Sequence, residues 1–124
     1  MTPAIPRILV VEDERNLADT LSERLVKEGF AVEKAPSCEQ ALLHLDGGSG
    51  RFDLALLDVG VPDGDGFTVA RHIRKKHPTT AMIFLTAFAG PEERVKGLEL
   101  GAEDYVAKPF HLKELILRVR NALK

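Results

Sequence analysis

Short apolar runs alternate with longer stretches of helical spacing along the chain. The runs are RILVV (Arg7–Val11), AVEKA (Ala31–Ala35), LALLD (Leu54–Asp58), AMIFLT (Ala81–Thr86) and DYVAK (Asp104–Lys108). ILVV, LALL and MIFL are apolar at consecutive positions, which marks strands covered on both faces. In the intervening stretches Leu17, Leu21 and Leu25 recur every four residues. Leu112, Ile116, Val119 and Leu123 recur at four, three and four, again one face of a helix. End signals punctuate the helices. Ser37 stands three residues before Gln40, a capping box. Pro91 suits a first helical position, and Glu92 and Glu93 then fall where the helix dipole favours acids. Gly29 and Gly101 sit where helices should stop.

The pattern is β-α repeated five times. It predicts an α/β fold: a doubly wound, five-stranded parallel sheet of order 2-1-3-4-5 with five helices, the flavodoxin-like arrangement. Such sheets bind ligands beyond the carboxyl ends of their strands. The residues that end the runs therefore carry the interest: Glu12-Asp13, Asp58, Thr86 and Lys108.

Composition narrows the setting. A chain of 124 residues suits one domain spanning 1–124 with a short tail at 1–6, and should bury about two-thirds of its unfolded surface. A net charge of -2 gives no global basic field for nucleic acid. The lone Cys38 cannot form an internal disulfide, which fits a reducing, cytoplasmic setting. No apolar run approaches the ~18 residues of a membrane helix, and MTPAIPR lacks a signal-peptide core. DGGSGR (46–51) reads as a surface loop.

With that strand order Glu12, Asp13 and Asp58 converge on one crevice, flanked by Lys108 and Thr86. Clustered carboxylates persist if they protonate or if a cation neutralises them. Hard oxygen donors without a nearby His or Cys set favour Mg²⁺ over Zn²⁺, and Mg²⁺ is commonly shared with phosphate oxygens. An Asp carboxylate can also act as a nucleophile and form an aspartyl phosphate. Lys108 would add a point charge for phosphoryl oxygens and Thr86 a hydroxyl.

The motifs VVEDE, LLDVGVPDGDGF, FLTA and GAEDYVAKPF occur in order. Through them the chain, from about Arg7 to its end, resembles the CheY-like receiver domains of two-component response regulators, nearest to the winged-helix OmpR-type subfamily. The resemblance implies that Asp58 is the phosphoacceptor. It implies Asp13 as a direct Mg²⁺ ligand, Glu12 as a ligand through water, and the Gly60 carbonyl as a further ligand. Lys108 would contact the phosphoryl group, Thr86 and Tyr105 would be the switch pair, and the Lys108-Pro109 peptide would be cis. Two positions depart from common family residues. Gly60 has no side chain, and Phe88 is apolar, so water access to an acyl phosphate would be tuned there, opened by Gly60 and shielded by Phe88.

In a receiver of this kind Thr86 would move toward the phosphoryl group and Tyr105 would turn into the vacated space. The surface of helix four, strand five and helix five would change in response. Arg94, Glu99, Glu103, Asp104, Glu114, Arg118 and Arg120 would place both signs there, as a twofold interface requires. The implied partners are a sensor histidine kinase, a second copy of the chain, and a DNA-binding effector domain outside this chain. No direct contact with nucleic acid or membrane is expected, and the role would be that of a phosphoprotein in transcription regulation rather than an enzyme.

Other readings compete. A haloacid-dehalogenase-type phosphatase also uses a strand-end Asp, but it places a second Asp two residues later, where this chain has Gly60. A degenerate receiver acting only as a binding module is opposed by the intact acids, Thr86 and Lys108. The chain reaches Lys124 where helix five should end, which suits either a single-domain regulator or a receiver of a longer one. Asp63 and Asp65 are expected to make turns or cap the next helix. Cys38 is expected to be structural. His44, His72, His77 and His111 show no ligand spacing and are expected at the surface.

Overall fold

Four parallel pairings join the five strands of the sheet. In the computed structural model, which describes residues 4–48 and 50–124, the elements are β1 (Arg7–Val11), α1 (Arg15–Lys27), β2 (Ala31–Ala35), α2 (Cys38–Asp46) and β3 (Leu54–Leu57). There follow α3 (Gly66–Lys76), β4 (Ala81–Thr86), α4 (Pro91–Glu99), β5 (Asp104–Ala107) and α5 (Leu112–Ala122). The sheet order is β2-β1-β3-β4-β5, all neighbours parallel, as the alternation predicted. Residues 1–3 of the expected tail and Ser49 of the expected loop lie outside the described residues.

The strand pleat divides the core in two. Ile8, Val10, Leu54, Leu56, Ile83, Leu85 and Val106 face α1 and α5, meeting Leu21, Leu25, Leu115, Ile116 and Val119. Leu9, Val11, Ala55, Leu57, Met82 and Phe84 face α2 and α3, meeting Ala41, Leu45, Val69, Ala70 and Ile73. Successive strand residues thus point to opposite buried faces, which is why the central runs are apolar without alternation. β2, at the edge, buries only Ala35 fully, and its polar Glu33 and Lys34 follow from that position.

The helix ends follow local chemistry. Ser37 Oγ accepts the Gln40 N–H at 3.1 Å, and α4 begins at Pro91. Gly101 takes φ +93°, a left-handed conformation that glycine adopts without a Cβ penalty, and there the chain leaves α4 for β5. Arg74 secures that exit by donating to the carbonyls of Leu100 at 3.0 Å and Gly101 at 2.9 Å. Asp65 caps α3 through the Thr68 N–H at 2.9 Å. Asp63 corrects its expected role: its carboxylate accepts the N–H groups of Cys38 at 2.7 Å and Glu39 at 2.9 Å, so it caps the preceding helix, α2. Cys38 is buried, and its thiol donates to the Asp65 carbonyl at 3.3 Å.

Candidate functional site

The parallel sheet delivers the ends of β1, β3, β4 and β5 to one rim. β3 and β5 each stop one residue sooner than the apolar runs suggest, so Asp58 and Lys108 begin the loops. Their backbones still extend the ladder: Asp58 N–H donates to the Val11 carbonyl at 3.0 Å and Lys108 N–H to the Thr86 carbonyl at 2.9 Å. The side chains are thereby placed by the sheet itself. Beneath Asp58 the first residue of α3 is Gly66, where a Cβ would lie 2.3 Å from the Asp58 carbonyl oxygen. Sequence reasoning passed over Gly66. Its position directly after the capping Asp65 was the available signal.

Glu12, Asp13 and Asp58 bring a carboxylate oxygen each to within 4.8 Å of one another. Glu12 and Asp58 are only 4% and 7% exposed, whereas Asp13 faces solvent. Lys108 Nζ donates to Glu12 Oε1 at 2.7 Å and to Asp58 Oδ2 at 2.9 Å. The Gly60 N–H donates to Asp58 Oδ1 at 3.0 Å, and the Glu14 N–H to Glu12 Oε2 at 3.0 Å. The two buried carboxylates therefore share one ammonium, and the third, Asp13, stands beside them in solvent.

The environment separates the two buried acids. Burial pushes the Glu12 carboxyl above its ordinary range despite the Lys108 bond, and the charge of Asp58 adds to the effect. Burial acts the same way on Asp58, but hydrogen bonds from Lys108, the Gly60 N–H and Thr86 outweigh it and hold that carboxyl below the usual value. Lys108 is desolvated as well, yet its two acid partners raise its pKa, so it stays an ammonium. Asp58 is accordingly an ionised carboxylate at neutral pH. The all-oxygen donor set, with one carboxylate open to solvent, fits a hard divalent cation such as Mg²⁺.

Two further residues complete the rim. Thr86 is fully buried, and its Oγ1 accepts the Phe88 N–H at 3.2 Å. Tyr105 is 6% exposed, its ring stacks on Phe84 at 5.1 Å, and its hydroxyl donates to the Phe88 carbonyl. Tyr105 is thus already turned inward, against Gly97 of α4, where a Cβ would come 2.7 Å from the Tyr105 ring. Phe84 and Gly97 escaped sequence reasoning because neither carries polar chemistry. Phe88 itself is 54% exposed and leans over Gly60, where a Cβ would stand 3.0 Å from its ring. The two unusual positions are complementary: the missing side chain makes room for the aromatic one. The Lys108-Pro109 peptide is cis.

The seven charged residues expected on the α4-β5-α5 surface divide. Arg118 donates to Asp104 at 2.6 Å and to Glu114 at 3.3 Å, joining β5 to α5. Arg94 and Glu99 lie on α4. Arg120 departs from that surface. It reaches across to Glu28 at the end of α1 at 2.7 Å, because its position on α5 turns it toward α1 and the Phe30 ring. Glu103 is also engaged elsewhere, accepting the Met82 N–H at 2.7 Å at the start of β4.

A doubly wound parallel sheet with Glu12, Asp13, Asp58 and Lys108 gathered at its strand carboxyl ends defines the class of domain. Residues 8–120 match the family model described as the response regulator receiver domain, and the chain belongs to that family of two-component regulators. It is 45% identical over 118 residues to the transcriptional regulatory protein CreB of Escherichia coli strain K12, covering 94% of this chain and 50% of CreB. The structure is similar to the non-phosphorylated HemR receiver domain of Leptospira biflexa, with TM-score 0.89 and 44% identity over 96% of this chain and 94% of that one. It also resembles DrrB, an OmpR/PhoB homolog of Thermotoga maritima, with TM-score 0.84 and 34% identity over 95% of this chain and 52% of DrrB. The chain spans about half the length of the curated relatives it matches. Among the described residues no helix is long and apolar enough to cross a membrane.

Proposed function

We propose that this receiver is a phosphorylation-driven switch whose phosphoacceptor is Asp58, charged by a sensor histidine kinase. The observation that supports it most is the cluster of three carboxylates, two of them buried and bonded to a single ammonium. An ionised Asp58 oxygen attacks the donor phosphorus as the bond from phosphorus to the donor imidazole breaks; the bonding pair stays on the ring nitrogen, and the imidazole departs neutral because its other nitrogen carries a proton. Asp13 directly, Glu12 through water, Asp58 and the Gly60 carbonyl would hold Mg²⁺. The ion supplies charge neutralisation between the acids and the incoming phosphoryl oxygens. Lys108, already bonded to Asp58, turns its ammonium to those oxygens.

The added group brings roughly 1.5 to 2 negative charges and three acceptor oxygens. A charge-assisted hydrogen bond contributes about 1.5–3 kcal/mol, and a full population reversal needs about 5.5 kcal/mol. Bonds from Lys108, Thr86 and a backbone N–H together match that requirement, and one alone falls short. Thr86 then transmits the change. Its hydroxyl donates to a phosphoryl oxygen while still accepting the Phe88 N–H, and Phe88 is tied to Tyr105 through its carbonyl. The inward Tyr105, packed against Gly97, is the arrangement that the phosphoryl group would stabilise. Phe88, leaning into the room that Gly60 leaves, would shield the acyl phosphate from water on that side.

The output would run through α4, β5 and α5. Arg94, Glu99, Asp104, Glu114 and Arg118 offer both charge signs for twofold pairing of phosphorylated copies. The relatives are named as transcriptional regulators, and the chain spans half their length. Both facts support a DNA-binding effector as the downstream element.

Intact mass after incubation with acetyl phosphate, with and without Mg²⁺, tests the assignment. One Mg²⁺-dependent phosphoryl adduct is expected on the wild type and none on Asp58→Asn. Absence of an adduct together with failure to bind beryllofluoride would replace this account with that of a binding module.

A further inference from the structure

Asp46 ends α2, while His72 lies within α3 and His77 caps its end. They are 26 and 31 residues from Asp46 in sequence, yet both imidazole Nε2 atoms stand 2.9 Å from the same Asp46 Oδ1. The two rings are 5.7 Å apart, and the three donor atoms lie within 4.8 Å of one another. The two histidines thus correct the expectation that they have no ligand geometry. We propose that Asp46, His72 and His77 form a binding site for a divalent transition-metal ion of the zinc class.

The donor chemistry selects the ion. Two imidazoles and one carboxylate suit Zn²⁺, whereas Mg²⁺ prefers oxygen alone. Ligand atoms about 2.0–2.1 Å from a tetrahedral Zn²⁺ stand about 3.3 Å apart, so the two contacts need to open by only about 0.4 Å. Three protein ligands leave a fourth position, and the half-exposed Asp46 opens it to water. Binding exchanges protons for the ion. Each neutral ring moves its Nε2 proton to Nδ1, or a charged ring releases it to solvent, and the freed lone pair coordinates the metal. The exposed Asp46 supplies the anionic ligand, as an ordinary carboxylate does at neutral pH. His77 is anchored by its own N–H, which donates to the Ile73 carbonyl at 2.7 Å.

The site is separate from the acid pocket. Both helices run back along the sheet, so their ends meet at the amino ends of the strands, opposite Asp58. An ion there would clip α2 to α3.

Calorimetric titration of Zn²⁺ into the full chain, in excess Mg²⁺ to occupy the acid pocket, tests the inference. One equivalent is expected to bind and to raise the melting temperature. His72→Gln and His77→Gln should each weaken binding by at least roughly 100-fold, beyond the loss typical of an outer-shell partner. His44→Gln and His111→Gln should leave it unchanged. Circular dichroism of each variant verifies its fold, and Asp46→Asn removes the third ligand by an independent route. Failure of the wild type to bind Zn²⁺, or binding that survives either His72→Gln or His77→Gln, would overturn the site.

Discussion

The two ends of the sheet use the same residue types to opposite effect. At the amino end each acid has its own partner. Asp53 accepts the Arg7 N–H at 2.8 Å and pairs with Arg51 at 2.8 Å, and Glu103 accepts the Met82 N–H. Thr80 Oγ1 donates to the Phe52 carbonyl at 2.7 Å. At the carboxyl end the buried Glu12 and Asp58 share Lys108, and the exposed Asp13 stands beside them. The amino-end acids act as staples that terminate strands and loops. The carboxyl-end acids crowd negative charge into a place where it is costly, and that imbalance suits a cation. The imbalance, not the presence of carboxylates, is what distinguishes a site. Asp46 breaks the pattern of its own end in the reverse sense, with two imidazoles on one acid.

The strongest way to break this comparison is Lys108→Met. Removing the ammonium leaves Glu12 and Asp58 buried without a cation, and urea denaturation in the absence of Mg²⁺ should show a loss of about 2–4 kcal/mol. Added Mg²⁺ should restore part of it. A variant as stable as the wild type would mean that the carboxyl end is as well compensated as the other.

Next in size is the ionisation of Tyr105. Burial, with the Glu93 charge second, pushes its phenol up to about 12. A raised acid pKa favours folding while the group stays protonated. Its contribution is therefore fully present below the ordinary value near pH 10 and is lost as pH rises toward 12, by about 3 kcal/mol. The chain has one Tyr and no Trp, so phenolate absorbance reports this residue alone. A spectroscopic midpoint near pH 10 would show that the ring is not held inward.

The smallest effect is expected from Asp53→Ala at the amino end. It removes an acceptor from the Arg7 N–H and a partner from Arg51, both partly exposed, and should cost about 1 kcal/mol in the same denaturation experiment. A loss equal to that of Lys108→Met would erase the contrast between the ends.

Much of this was legible in the chain. Consecutive apolar residues in ILVV, LALL and MIFL disclosed strands buried on both faces, and the doubly wound order then brought Glu12, Asp13, Asp58, Thr86 and Lys108 to one rim. These residues are positioned by backbone ladders, whose geometry follows from strand order. What escaped depends on the reach and direction of side chains. Asp63 caps a helix 24 residues earlier, and Arg120 turns to α1 instead of the α4-β5-α5 surface. Tyr105 lies inward because Gly97 leaves room for its ring, a pairing that no local spacing encodes. His72 and His77 are five apart, off the usual i, i+4 alignment of a helix face, and they meet only because His77 lies beyond the last turn of α3.

Thr86 and Tyr105 both grip Phe88 by its main chain: one accepts its N–H and the other donates to its carbonyl. Every amino acid carries those two groups, and proline alone lacks the first. The main chain at this position can therefore serve as a mechanical link, while the side chain is free to be chosen on other grounds. Substitution at position 88 by any residue except proline is then a tuning of exposure over Gly60 that leaves both backbone groups in place. One residue thereby divides its labour between a part that nearly every substitution preserves and a part that each one changes.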